Sequence, residues 1–158
     1  MAKKKKDAKK SGRSRKGAPR KKGAARKASA PSVESLARKI VRLTEQAALG
    51  MDEIKALYNE DCVSQEGTGQ VDRGYAGLEA KGKRWDQMQS GSTWKATNVW
   101  VARNTICIEW DSTVNTRDGR TVKLPEIAVH EIKNGKIQNE RFYYNPMALA
   151  PPQGGGAA

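Results

Sequence analysis

Histidine, phenylalanine and cysteine are scarce in this chain, whose 158 residues include one His, one Phe and two Cys. The cysteines, Cys62 and Cys107, are too few for a disulfide framework, and their spacing matches no zinc motif. No apolar run approaches the roughly 20 residues that cross a bilayer, so a transmembrane protein is excluded. A cytoplasmic chain with reduced thiols is the simplest interpretation of these absences.

The first thirty residues also lack Val, Leu, Ile and every aromatic residue. They therefore contain no apolar segment of the kind that a secretory signal peptide needs, and export is not expected. The same lack leaves too little apolar surface to offset the entropy of ordering, so the sequence predicts a disordered tail over residues 1–31. A second flexible tail is predicted over residues 150–158, which leaves one folded domain at residues 32–149.

Acidic side chains are nearly absent from the first thirty residues, which hold fourteen basic residues and one acid, Asp7. This segment accounts for the whole net charge of +13, because the other 128 residues carry sixteen bases and sixteen acids. A flexible polycation of this kind binds DNA, RNA or polyphosphate through counterion release, without reading sequence. The predicted polyanion-binding residues are Lys3, Lys4, Lys5, Lys6, Lys9, Lys10, Arg13, Arg15, Lys16, Arg20, Lys21, Lys22, Arg26 and Lys27.

Other interpretations of the basic tail stay open: a solubilising segment, a nuclear localisation signal or a transit peptide. A transit peptide fits least, because the tail is rich in Lys and has no apolar face. If the tail acts on nucleic acid, a nucleoid-associated or nuclear location is the alternative to the cytoplasm.

The predicted domain changes its apolar periodicity along the chain. Helical spacing predicts helices over residues 32–49, 52–58 and 75–88, with a short strand over 62–66. Alternating spacing then predicts strands over 94–102, 105–116, 120–132 and 136–145. Asp118-Gly119 and Asn134-Gly135 separate successive strands and predict antiparallel hairpins. Helices followed by a meander indicate an α+β domain with its helices on one face of a curved sheet.

The register of the hairpins decides which side chains share a face. Three-residue loops would pair Thr116 with Arg120 and Ile132 with Lys136, and two-residue loops would mix the two faces, so three-residue loops are predicted. One face is then apolar apart from a few ionisable groups, and it comprises Ile106, Ile108, Trp110, Ser112, Val114, Val122, Leu124, Glu126, Ala128, His130, Ile132, Glu140, Phe142 and Tyr144. The other face, suited to solvent or a partner subunit, carries Glu109, Asp111, Thr113, Lys123, Glu131 and Arg141.

Three segments carry a resemblance to a known family: "ALGMDEIKALYNEDCV", "DRGYAGLEA" and "DGRTVKLPEIAVHEIKNGKIQNERFYYNP". Over about residues 32–149 the chain resembles the SnoaL-like group of the nuclear transport factor 2 superfamily, which includes ketosteroid isomerase. The resemblance implies a cystatin-like cone, in which a curved antiparallel sheet wraps three N-terminal helices around a central apolar pocket. It also implies homodimers packed through the sheet. It does not fix a function, because members include isomerases, cyclases, dehydratases, hydrolases and non-catalytic proteins.

The ketosteroid isomerase pattern can be matched residue by residue. Glu66 falls at the position of its carboxylate base. Ala128 stands where that family keeps a protonated Asp, and Leu43 replaces the Tyr of its oxyanion hole, so that particular mechanism is not expected. Asn145 stands where many SnoaL-like sequences have Asp, and an amide cannot accept a proton as a base.

The predicted apolar face brings ionisable groups together. Glu126 and His130 lie on one strand with Glu140 on the neighbouring strand, and a carboxylate near an imidazole in an apolar cavity shifts both pKa values, as acid–base pairs require. With Glu66 at the rim, these four residues form a candidate catalytic set for proton transfer on a small apolar carbonyl compound. The predicted pocket-lining residues are Leu43, Trp110, Ala128, Phe142 and Tyr144.

Each candidate also has a purely structural interpretation. His130 could be a core histidine hydrogen-bonded to a Glu. Glu140 could pair with a nearby Lys or Arg, and Glu66 could be a solvated loop carboxylate.

One His and scattered carboxylates are too few ligands for a zinc or iron site, and no phosphate-binding loop is present, so no cofactor is expected. Two functions remain. The first is a small-molecule enzyme or ligand-binding protein with a polyanion-binding tail. The second is a non-catalytic dimeric module whose two tails bind nucleic acid non-specifically through avidity.

Overall fold

Three helices precede most of the sheet in the computed structural model, which describes residues 31–150. Ser32 begins the first helix by accepting a hydrogen bond from the amide of Ser35. This helix ends four residues earlier than predicted, and the chain turns at Ala47, whose φ is +50°. The helices are α1 (Val33–Glu45), α2 (Met51–Leu57) and α3 (Gly74–Met88).

Seven strands form one curved, unclosed sheet in the order β2-β1-β7-β6-β4-β3, with β5 paired to the end of β4. The predicted α+β fold class is confirmed. The sheet is mixed, however, because β1 runs parallel to β7 while the other pairs are antiparallel. The strands are β1 (Tyr58–Gln65), β2 (Val71–Arg73), β3 (Gln89–Ala102), β4 (Thr105–Thr116), β5 (Thr121–Lys123), β6 (Glu126–Lys133) and β7 (Lys136–Tyr143), followed by a 3-10 turn over Pro146–Ala148.

Several strands differ from the prediction. Strands β1 and β3 begin at Tyr58 and Gln89, four and five residues before the predicted starts. The strand predicted over residues 120–132 is divided into β5 and β6 at Pro125, which has no amide hydrogen for the ladder. Strand β2 was missed, because three residues are too few to show a period.

The first hairpin has the predicted register. The amide of Thr116 donates to the carbonyl of Arg120 at 2.9 Å, and Gly119 takes a φ of +88° in the loop between them. The continuing ladder pairs Val114 with Val122. Only a residue that tolerates positive φ closes a three-residue loop in this way, and Gly does so without strain.

The second hairpin differs, and the predicted pairing of Ile132 with Lys136 is wrong. Asn134 and Gly135 both take positive φ and form a two-residue turn, so Ile132 pairs with Ile137. A β-bulge just beyond it, between Glu131 and Ile132, moves the register by one more residue. The two shifts restore the predicted parity beyond the bulge, so Glu140 and Phe142 share a face with the even-numbered residues of β6. Before the bulge it is Ile137 that lies beside Ile132 in the core.

The apolar face predicted from the sequence is the concave face of the sheet. Helix α1 packs over it at the β3–β4 side, and α3 packs over it at the β1–β2 side. The core cluster between them contains Leu36, Ala37, Ile40, Leu43, Leu57, Ile106, Ile108, Trp110, Ala128, Ile132 and Ile137. The convex face carries the charged and half-exposed residues.

Candidate functional site

Polar side chains on the concave face are concentrated on the strands farthest from α1. Ser64 of β1 lies beside Glu140 of β7, which lies opposite His130 of β6. Glu126, at the start of β6, lies opposite Trp110 of β4. Lys81 of α3 and three further residues, Tyr58, Glu66 and Tyr144, adjoin these four side chains. We term the whole group the polar cluster: Tyr58, Ser64, Glu66, Lys81, Glu126, His130, Glu140 and Tyr144.

Lys81 of α3 is the centre of the polar cluster. Its Nζ atom lies 2.6 Å from Glu66 Oε1 and 3.5 Å from Glu140 Oε1, and it donates a hydrogen bond of 3.0 Å to Ser64 Oγ. The ammonium group also lies 3.8 Å from the centroid of the Phe142 ring. Burial alone would lower the pKa of Lys81, but the charges of Glu140 and Glu66 outweigh it and raise that pKa. The side chain is therefore a cation.

Glu140 is the most completely paired carboxylate in the cluster and is only 2% exposed. It accepts hydrogen bonds of 2.7 Å from both Tyr58 Oη and Ser64 Oγ. Burial opposes its ionisation, but the charge of Lys81 and the neighbouring His130 and Ser64 lower the pKa of Glu140 to about 2. At neutral pH it is thus a fixed anion and a weak base.

His130 is 3% exposed and has neither ring nitrogen in a hydrogen bond with any residue that the structure describes. Its Nδ1 atom lies 3.3 Å from Glu140 Oε2, but the direction is not that of a hydrogen bond. The ring meets Phe142 edge to face, with the centroids 6.3 Å apart. A buried imidazole without a hydrogen bond is unusual, because such groups nearly always find partners.

Glu126 has the opposite character to Glu140. It is 8% exposed, and its carboxyl group makes no hydrogen bond within residues 31–150. Burial and the charge of Glu66 raise the pKa of Glu126 to about 8, although Lys81 works against this shift and Glu140 adds to it. At pH 7 this residue is mainly a neutral carboxylic acid facing the interior.

Glu66 has both carboxylate oxygens occupied. One oxygen contacts the Lys81 ammonium, and the other accepts a hydrogen bond of 2.9 Å from the hydroxyl of Tyr144. Burial and the adjacent carboxylate raise the pKa of Tyr144, so this hydroxyl stays protonated. Gly67 lies against the Tyr144 ring, and a Cβ atom there would come within 3.2 Å of it. Glu66, which the resemblance places at the position of the base, is therefore fixed by Lys81 on one oxygen and by Tyr144 on the other.

The described residues form two cavities, and one of them borders the polar cluster. One, of about 150 Å³, opens where β1 ends. Glu66 and Phe142 form part of its wall, and Arg141 and Tyr143 of the convex face form another part. The other is a groove of about 440 Å³ between α1 and β3, lined in part by Val41 and Val99, away from the polar cluster. Neither cavity lies between Trp110 and His130. The smaller one has one member of the polar cluster, Glu66, in its wall.

The structure brings Glu66, Glu140 and His130 into one cluster and places Glu126 within electrostatic range of it. Whether they act in catalysis stays a prediction. Among the predicted pocket-lining residues, Tyr144 belongs to the polar cluster and Phe142 contacts it through Lys81. The other three, Leu43, Trp110 and Ala128, lie in the hydrophobic core.

Three members of the cluster were missed from the sequence: Tyr58, Ser64 and Lys81. One signal for Lys81 was available, because it lies three residues after Leu78 and four before Trp85. That spacing places the lysine on the apolar stripe of α3. Ser64 could have been found by alternation, since it lies midway between Cys62 of β1 and Glu66, the residue that follows this strand.

The described part of the chain, residues 31–150, has no group of three or more His, Cys, Asp or Glu side chains arranged to bind a metal ion. No helix among those residues is both long enough and apolar enough to span a bilayer. The predicted polyanion-binding residues and most of both predicted tails lie outside the described residues.

The cone of three helices and a curved mixed sheet defines the class of nuclear transport factor 2-like folds. The family model for the SnoaL-like domain matches residues 41–140. The chain belongs to the SnoaL-like domain family. No curated protein matches it.

Similar solved structures show the same fold at low identity. A protein of Mesorhizobium loti assigned both as a SnoaL-like polyketide cyclase and as a carbohydrate phosphatase is 22% identical, with a TM-score of 0.62, over 72% of this chain and 100% of its own. One of Jannaschia sp. CCS1 assigned as a SnoaL-like polyketide cyclase is 16% identical, with a TM-score of 0.66, over 82% and 100%. A Catenulispora acidiphila protein with a ketosteroid isomerase-like fold, solved with trimethylamine, is 12% identical, with a TM-score of 0.64, over 75% and 91%.

Proposed function

We propose that this protein binds a small, largely apolar carbonyl compound on its concave face and transfers a proton on it. The observation that carries the proposal is the carboxyl group of Glu126 on that face, whose pKa is raised to about 8 by burial and by the charge of Glu66. An environment that keeps one carboxyl group protonated near a charged one supplies an acid and a base at the same pH. The assignment of two similar structures as polyketide cyclases is consistent with a carbonyl substrate.

The residues divide into roles by their protonation and their contacts. Glu66, at the cavity beside Phe142, is the base that removes a proton from the carbon next to the carbonyl group. Glu126, neutral and without a hydrogen bond, is the acid that returns a proton. Glu140 is too weak a base to take part and serves as a fixed negative charge. His130 offers ring nitrogens that have no protein partner and could contact the ligand.

Exchange of substrate hydrogen with solvent tests this function. Cyclohexanone, acetophenone and 2-tetralone would be incubated in D2O with the protein, and deuterium uptake followed by mass spectrometry. We expect uptake above the buffer rate for at least one ketone, and a loss of about 100-fold in Glu66→Gln and Glu126→Gln, because general acid–base groups contribute on the order of 10² to 10⁴.

Glu131→Gln is the matched control, since this carboxylate lies on the convex face and pairs with Arg141 and Asn139. It should exchange at the wild-type rate. Equal rates in Glu66→Gln and the wild type, or no uptake by the wild type with any of the three ketones, would contradict the proposal.

The convex face supports a second candidate, a homodimeric module. Trp100 and Tyr143 are 52% and 55% exposed, and between them the sheet presents Cys107, Val129 and Ile127. We propose that two copies pack through this face, as the family resemblance implies. Aromatic and aliphatic residues at the centre of a patch are typical of a protein interface. The rim of the patch carries Asn98, Glu109, Glu131 and Arg141.

A dimer would carry two of the basic tails, and this supports non-specific binding of nucleic acid. Each chain brings fourteen basic residues in its first thirty, with one acid. Once one tail is bound, the second binds at a high local concentration, so the pair holds a polyanion more tightly than either tail alone.

Trp100→Glu tests the dimer and the avidity together. We expect size-exclusion chromatography with light scattering to give a dimer for the wild type and a monomer for the variant. In a mobility-shift assay at 100 mM salt on a 30-base-pair duplex, the variant should bind at least about 10-fold more weakly. Val71→Glu, an equally apolar exposed position on β2, should behave as the wild type does. A monomeric wild type would rule out this second function.

A further inference from the structure

We infer that Lys81 is a catalytic residue that stabilises the oxyanion formed when Glu66 removes a proton from the substrate. The inference rests on the proposed function, because it identifies the group that pairs with the negative charge created in that same step. It would supply the contact that is missing at Leu43 and Ala128, the two positions where the resemblance leads one to expect hydrogen-bond donors. Donors aimed at developing charge in a buried site are among the largest contributions to catalysis.

Both carboxylate oxygens of Glu66 are already in contact with a donor. Lys81 Nζ lies 2.6 Å from one of its oxygens and Tyr144 Oη lies 2.9 Å from the other. Glu66 can accept a proton only if one of these contacts opens. Tyr144 donates a single hydrogen, whereas an ammonium group has three and can turn one of them toward a new acceptor.

The charge balances across the proton transfer. The C–H bond next to the carbonyl group breaks, its proton goes to Glu66, and its electron pair forms the carbon–carbon double bond of an enolate. The carbonyl π electrons move to oxygen, and nothing is oxidised or reduced. The negative charge therefore passes from Glu66 to the substrate oxygen, and the counter-ion 2.6 Å from Glu66, Lys81, is placed to pair with it.

Lys81 stays in position when Glu66 is neutralised. Its ammonium group is also held by Ser64 Oγ at 3.0 Å and by Glu140 at 3.5 Å, and it lies over the ring of Phe142. These contacts fix the cation without Glu66, so little reorganisation is needed during the reaction. The cavity of about 150 Å³ at the end of β1 reaches Glu66, and Lys81 lies directly behind this carboxylate at 2.6 Å rather than in the cavity wall.

The tyrosine hydroxyl groups of the cluster are less suited to this role than the ammonium group of Lys81. Tyr58 donates to Glu140, and Tyr144 donates to Glu66. Each has one hydrogen, and each would have to give up its hydrogen bond to a carboxylate oxygen in order to reach the substrate.

The ionised form of 2-naphthol is a stable mimic of an enolate oxygen and can be detected by its absorbance and fluorescence. At pH 8 we expect the wild type to bind 2-naphthol with an increased fraction of the ionised form. Glu66→Gln should bind the naphtholate about 10-fold more tightly, because the carboxylate that competes for Lys81 is gone. Lys81→Met should bind it about 10-fold more weakly than the wild type and should not increase ionisation.

Lys83→Met is the control, because this lysine lies on the exposed side of the same helix and pairs with Glu79. It should match the wild type. The Glu66→Gln result keeps Lys81 in place, so the test does not depend on the folding of Lys81→Met. Unchanged or weaker naphtholate binding in Glu66→Gln would overturn the inference, as would failure of both wild type and Glu66→Gln to bind the probe.

The two proposals fail differently. If the wild type exchanges ketone deuterium but Glu66→Gln gains no affinity for naphtholate, the function stands and the role of Lys81 is wrong. If Glu66→Gln gains that affinity but no ketone exchanges, Lys81 binds oxyanions and the proposed proton transfer is wrong.

Discussion

Glu140→Gln is expected to lower the free energy of unfolding by about 4 kcal/mol at pH 7, since removing one partner of a buried ion pair costs on the order of 3–5 kcal/mol. Glu140 accepts hydrogen bonds from Tyr58 and Ser64 and lies 3.5 Å from Lys81. A Gln side chain removes the negative charge and offers an NH2 group to neighbours that are themselves donors. Equilibrium unfolding in urea, followed by tryptophan fluorescence, measures the change.

The acid sensitivity of the same variant gives an independent check. The folded pKa of Glu140 is lowered to about 2 from 4.5, so its contribution to stability is present above pH 4.5 and is lost as the pH falls toward 2. Glu140→Gln should therefore lose less stability than the wild type between pH 4.5 and 3.

The control for this variant is again Glu131→Gln, which removes a half-exposed ion pair with Arg141 and should cost about 1 kcal/mol or less. If Glu140→Gln were no more destabilised than Glu131→Gln, the polar cluster would not be a significant source of stability.

The composition of the concave face was predictable from the sequence because side chains alternate along strands. Odd or even position along a strand was enough to predict which residues share that face. The prediction held although the length of one loop was wrong. The turn at Asn134 and Gly135 is one residue shorter than predicted, and the bulge near Glu131 corrects the register. The bulge was not predictable, because nothing local distinguishes Gln138, the residue passed over, from its neighbours.

The chemistry of the site was only partly predictable. Periodicity placed Glu126, His130 and Glu140 together, but it could not say that one carboxyl group would be protonated and another ionised. That difference arises from α3, which brings Lys81 to 3.5 Å from Glu140 and leaves Glu126 without a hydrogen bond. Helix periodicity gives the direction of a lysine from its helix, whereas its partners depend on how that helix packs on the sheet.

The wild type is expected to lose stability as the pH rises from 5 to 9, and Glu126→Gln is expected to abolish this loss. The folded pKa of Glu126 is raised to about 8 from 4.5. Between these two values the folded state holds a proton that the unfolded state has released, so the free energy of unfolding falls with rising pH. A displacement of this size corresponds to about 5 kcal/mol once the pH exceeds the folded pKa.

Urea unfolding at pH 5, 7 and 9 measures this dependence. Gln keeps the shape of the neutral acid and cannot ionise, so the variant should have a flatter profile and should exceed the wild type in stability at pH 9 by a few kcal/mol, on the order of the full effect. Glu131→Gln should keep the wild-type slope above pH 5, because the pKa of Glu131 is lowered by Asn139 and Arg141 and its titration lies below that range. Parallel profiles for Glu126→Gln and the wild type would show that Glu126 is ionised at neutral pH, and the site would then have no acid to return a proton to its substrate.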